Sequence, residues 1–126
     1  MLYQFSDEWT AIARQIATEL QLQHIKTDRV SCIVSRGSKA RTTIARIHSL
    51  NKVLQHGMHE PPCYVIELLH EHFGPLSHED KIKTIIHELL HIPAKFSGGF
   101  RHHRPYVNKQ NVERCFRALN LGFLKQ

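Results

Sequence analysis

His87-Glu88-Leu89-Leu90-His91 places two imidazoles one helical turn apart with a carboxylate beside the first. This H-E-x-x-H spacing is a zinc-hydrolase signature. On a helix of 3.6 residues per turn the two histidines stand about 40° apart around the axis and about 6 Å apart along it, so both rings can turn toward one ion. Glu88 lies about 100° further round, outside the ligand row but within reach of a water on the metal. Neutral nitrogen ligands leave zinc Lewis-acidic, and an adjacent carboxylate takes the proton of the water it activates. The expected chemistry is hydrolysis, with His87 and His91 as metal ligands and Glu88 as the catalytic base.

The motif needs a helix to hold it. Ser77 is a cap, Glu79 and Asp80 follow in the first turn, and Pro93 stops the chain two residues past the motif, which predicts a helix over His78 to Ile92. On that helix Ile82, Ile85, Ile86 and Leu89 share one buried face, and His87, Glu88 and His91 are expected on the other. A surface helix that merely carries His and Glu on its wet side is the plainer alternative. Against it stand the Leu89-Leu90 pair inside the motif and the histidine pair that follows. A catalytic zinc takes a third protein ligand, which this helix cannot supply. The stretch Phe96-Ser97-Gly98-Gly99-Phe100-Arg101-His102-His103 supplies a reversal and then two candidates, His102 and His103.

Around this helix the pattern predicts helix, three strands, motif helix, loop and helix. Ser6 caps a first helix of about Asp7 to Leu22, with apolar residues at Trp9, Ile12, Ala13, Ile16 and Leu20. Val30 to Ser35 alternates as a strand, Thr42 to Ile47 collects β-branched residues as a second, and Cys63 to Leu69 follows Pro61-Pro62 as a third. Leu50 to His56 reads as a short helix or a loop. Asn108 caps a last helix of about Lys109 to Asn120, with Val112, Cys115, Phe116 and Leu119 on its apolar stripe. No repeat or linker interrupts the chain, so residues 1–126 read as a single α+β domain.

At 126 residues such a domain can bury a core without staples. Cys32, Cys63 and Cys115 are odd in number and widely spaced, and read as reduced thiols. The absence of a leader-like N-terminus and of any long apolar run predicts a soluble, cytoplasmic protein that does not enter a membrane. A net charge of +6 permits nucleic acid as a partner, with basic residues locally dense at Arg36, Lys39 and Arg41 and at Arg101, Arg104 and Lys109. His56 with His59 and His70 with His72 lack an adjacent base and a Gly-rich return, and read as surface or partly buried histidines. Ser35 to Arg41 lacks the full phosphate-loop pattern and reads as a basic turn.

Four stretches together carry a family resemblance: Ser35-Arg36-Gly37-Ser38-Lys39, Tyr64-Val65-Ile66-Glu67, Ile85 to Pro93, and Phe96-Ser97-Gly98-Gly99. They resemble the putative phage metallopeptidase family, whose members occur in phages and archaea and are zincin-like. The resemblance runs from about Val30 to Val107 and implies a compact zincin-like fold and a zinc site. The family's tail pattern implies His103 as third ligand, with His102 in the variable place. Ala94 and Ser97 stand where metzincins carry Gly and a third His. A second-helix Glu ligand has only Glu113 as a weaker candidate.

The expected function is zinc-dependent hydrolysis of a peptide or protein, in which Arg101, Arg104, Tyr106 or the unused His102 would meet charge on the substrate carbonyl. An extended substrate would pair with an exposed strand edge, which the sequence does not identify. A different class of function remains as the alternative: a basic nucleic-acid-associated module with a structural or silent zinc site, or a DNA-associated protease that joins the two.

Overall fold

In the computed structural model, residues 1–101 and 106–119 are described. Ser6 accepts a hydrogen bond from the Trp9 amide at 3.0 Å and starts α1, Asp7–Glu19. This helix ends earlier than its apolar spacing predicts, because Gln21 turns left-handed at φ +55° and the Leu22 amide folds back to the Ala17 carbonyl. The strand after it, β2 (Val30–Arg36), lies beside β4 (Tyr64–Leu69) in parallel, with Cys32 opposite Ile66.

Among the described residues four strands form the sheet where three are expected. The additional one, β1 (Leu2–Phe5), pairs antiparallel with β2 from Leu2↔Arg36 to Phe5↔Ile33. All four of its residues are exposed, so burial left no readable alternation over so short a stretch. The other edge is β3, found at Ala45–Ser49 and not at Thr42 to Ile47. Its antiparallel register on β4 sets Ala45 against Leu68 and Ile47 against Ile66, which turns both toward the core and outweighs the β-branched run before it. The sheet order is β1-β2-β4-β3.

A capped helix, α2 (Lys52–Met58), follows β3, with Asn51 accepting from the Leu54 amide. The short α3 (His70–Phe73) continues directly from β4. Ser77 caps α4, His78–Leu90, by accepting from the Asp80 amide at 3.1 Å. Asn108 caps α5, Lys109–Ala118, in the same way through the Asn111 amide.

One core joins these elements. Ala13, Ile16 and Ala17 of α1 and Ile82, Ile85, Ile86 and Leu89 of α4 pack with Val30, Cys32, Tyr64, Ile66 and Leu68 of the sheet. Each fully buried isoleucine on α4 is worth about 2 kcal/mol over exposure, so packing rather than helix propensity fixes this helix against the sheet. The three cysteines are free thiols. Among the described residues no helix is long and apolar enough to cross a membrane.

Candidate metal centre

The last turns of α4 carry His87 and Glu88, and His91 is its C-cap. The two imidazole centroids are 5.2 Å apart, and one ligand atom from each of His87, Glu88 and His91 lies within 4.8 Å of the others. This is the one potential metal-holding group among the described residues. Glu113 does not join it, because its carboxylate takes an ion pair with Lys83 at 2.8 Å. His72 donates to the Ala40 carbonyl at 2.7 Å, and His56, His59 and His70 lie exposed at the surface.

The His91 ring is aimed by the chain that follows it. Its Nδ1 lies 3.0 Å from the Arg101 carbonyl, and the Arg101 amide donates to the His91 carbonyl at 2.7 Å. A carbonyl only accepts, so Nδ1 is the donor here and Nε2 is the nitrogen that could serve as a metal ligand. This pair of bonds brings the segment after Gly98-Gly99 back to the helix end, as the glycines lead one to expect. His24 adds a second restraint there by donating from Nε2 to the Ile92 carbonyl at 3.2 Å. Burial holds the His24 pKa below its usual value.

Glu88 is only 6% exposed, which corrects the expectation that it shares a wet helix face with the histidines. A helical wheel sees one helix, whereas the space opposite this face is walled by other elements. Ala45 and Ile47 of β3 stand on one side and Val112 of α5 on another, in the two cavities that meet at His87 and Glu88. With His87 and His91 themselves half-buried, the carboxylate sits at the floor of a cleft. Burial pushes its pKa up from 4.5 to about 7.

The larger cavity, about 740 Å³, extends along Ile44, Leu76 and Val112 toward Lys109 and Glu113. The smaller, about 450 Å³, runs past His91 to Phe100 and Arg101. Arg101 thus lies beside the site, with its guanidinium 4.8 Å over the ring of Tyr106. Tyr106 is half-exposed and does not line either cavity. His102, His103 and Arg104 lie outside the described residues, and with them the third-ligand assignment.

The cleft runs beside a strand edge that the sequence leaves unidentified. Leu69 donates to the Ile44 carbonyl at 2.9 Å and Leu50 donates to the Cys63 carbonyl at 3.1 Å, which fixes the hydrogen-bond alternation along β3. In an antiparallel pair alternate residues bond to the neighbour, so Arg46 and His48 turn their amides and carbonyls to β4. Ala45 and Ile47 turn theirs to the outer edge of the sheet, where no described strand pairs with them, beside His87 and Glu88.

Two imidazoles beside a buried carboxylate fit a divalent metal of intermediate softness. A sequence model of the family described as "Putative phage metallopeptidase" matches residues 3–116, a span that contains every element described above except the first residue of β1 and the last two of α5. No curated protein and no solved structure matches the chain. The chain belongs to the Putative phage metallopeptidase family.

Proposed function

We propose that the protein is a zinc-dependent peptidase in which His87 and His91 hold the metal with His103 as third ligand, and Glu88 is the general base. The observation that carries this reading is Glu88 itself. A carboxylate buried next to two convergent imidazoles, with its pKa raised to about 7, is poised to accept a proton near neutral pH. A structural metal site has no use for such a group. Zinc bound there would supply Lewis acidity, polarising the scissile carbonyl and acidifying a water molecule.

The chain's own residues account for the rest of the chemistry. Glu88 takes the proton as the water oxygen bonds to the carbonyl carbon, then delivers it to the amine nitrogen as the peptide bond breaks. The Arg101 carbonyl keeps the His91 ring from turning during this exchange. Arg101 lines the smaller cavity and, by turning from the Tyr106 ring, its guanidinium would meet negative charge on the carbonyl oxygen. An extended substrate pairs with the outward amides and carbonyls of Ala45 and Ile47, which gives main-chain recognition along the cleft. The two cavities then receive side chains on either side of the scissile bond.

The test is elemental analysis of protein purified without a histidine tag or added metal. The expected result is about one zinc per chain, lost in His87→Ala, His91→Ala and His103→Ala. A native chain that neither contains zinc nor takes it up sinks the proposal.

A further inference from the structure

Three consecutive carbonyls in the segment beyond α4 are each held by a side chain from a different element. Gln55 of α2 donates to the Ser97 carbonyl at 3.1 Å, Ser49 of β3 donates to the Gly98 carbonyl at 2.6 Å, and Tyr64 of β4 donates to the Gly99 carbonyl at 2.8 Å. Tyr64 also accepts from the Gly98 amide at 3.0 Å, so its hydroxyl bonds this segment in both directions. The phenol ring is fully buried and meets Phe96 and Phe100 edge-on at 5.0 and 5.9 Å. Gly98 has φ +109°, and a Cβ on it would come within 2.9 Å of both Gln55 Nε2 and the Leu50 carbonyl. A glycine at this point lets the segment lie that close to its anchors.

This strap ends at Arg101, whose amide and carbonyl both bond His91. We infer that Tyr64, supported by Ser49 and Gln55, is a positioning residue for the metal centre: it fixes residues 97–101, and they fix the imidazole of His91. The inference rests on the reading of His91 as a metal ligand. A ligating histidine depends on the partner of its other ring nitrogen, and loss of such a partner weakens metal binding about 10- to 100-fold. Here the partner is a main-chain carbonyl in a glycine-containing segment, so the side chains that hold the segment replace the carboxylate that often does this work. A purely structural Tyr64 would stabilise the core without reaching the metal.

The experiment is competition for Zn²⁺ against a chromophoric chelator, comparing the native chain with Tyr64→Phe, Ser49→Ala and Thr10→Val. Tyr64→Phe keeps the ring contacts and removes only the hydroxyl. Thr10→Val removes a hydroxyl that is also buried, bonded to Cys32 on the far side of β2 from β4's strap contacts, and serves as the general-destabilisation control. The expected result is zinc affinity about 10- to 100-fold weaker in Tyr64→Phe, a smaller loss in Ser49→Ala, and none in Thr10→Val. Native affinity in Tyr64→Phe, or an equal loss in Thr10→Val, overturns the inference. Should Tyr64→Phe fail to fold, Ser49→Ala decides: native affinity overturns the inference and weakened affinity supports it. A native chain that takes up no zinc overturns the underlying reading of His91, which distinguishes that failure from failure of the inference alone.

Discussion

Glu67 and Glu88 are the two glutamates that the fold buries, 3% and 6% exposed, and the protein treats them in opposite ways. Burial pushes both pKa values up. At Glu67 that effect is outweighed by Arg46, whose Nε and Nη2 donate to the two carboxylate oxygens at 2.9 and 3.3 Å, and by His48, which donates at 2.8 Å. Ser35 contributes as well, although its hydroxyl lies outside strict hydrogen-bond geometry. The result is a pKa of about 2. At Glu88 no described residue offsets burial, and the value stands at about 7. One carboxylate is tied to its neighbours across β3 and β4, whereas the other titrates near neutral pH. Where both are equally buried, partners rather than depth separate structure from chemistry.

The contrast predicts opposite pH dependences for the metal-free protein. Glu88 titrates higher when folded, so between about pH 4.5 and 7 the unfolded chain gives up its proton first and stability falls as pH rises, by at most about 3 kcal/mol. Below pH 4.5 the group is protonated in both states and contributes no slope. Urea unfolding at pH 5 and pH 8 is therefore expected to show a larger decline for the native chain than for Glu88→Gln. Parallel declines would mean that Glu88 is not held in its protonated form by the fold.

Glu67 titrates lower when folded, so its contribution is present above pH 4.5 and is lost as pH falls toward 2. Glu67→Gln is expected to cost about 2 kcal/mol at pH 7, through loss of charge-assisted hydrogen bonds, and little at pH 2. Equal urea midpoints for variant and native chain at pH 7 would show the cluster to be idle. The smallest effect is expected from Arg46→Ala. Arg46 is 44% exposed, so water screens its pairing and the loss should stay below about 1 kcal/mol. The sharper readout for that variant is the Glu67 pKa followed by carboxyl NMR, which should rise from about 2; no rise would remove Arg46 as the cause.

The same contrast shows what sequence patterns carry. The boundaries of α4 are local matters, set by the Ser77 cap, the first-turn acids and Pro93, and its apolar face follows from spacing within one helix. The reversal after Phe96 was readable from adjacent glycines. Glu67 lay within a recognised strand, but its partners Arg46 and His48 come from β3 through a register that only the folded sheet defines. Glu88 sits on the expected helix but below the surface, because its burial comes from β3 and α5 and not from its own helix. The edge strand β1 escaped for the reverse reason: no burial marks it, only pairing to β2. Tyr64 read as one more strand residue, since its hydroxyl bonds lie 34 and 35 residues away.

The most direct test of the account measures zinc content and peptide hydrolysis side by side in the native chain and in Glu88→Gln. One zinc per chain is expected in both proteins, with hydrolysis about 10²- to 10⁴-fold slower in the variant. Undiminished hydrolysis in Glu88→Gln would contradict Glu88 as the base, and loss of zinc from that variant would make Glu88 a ligand instead.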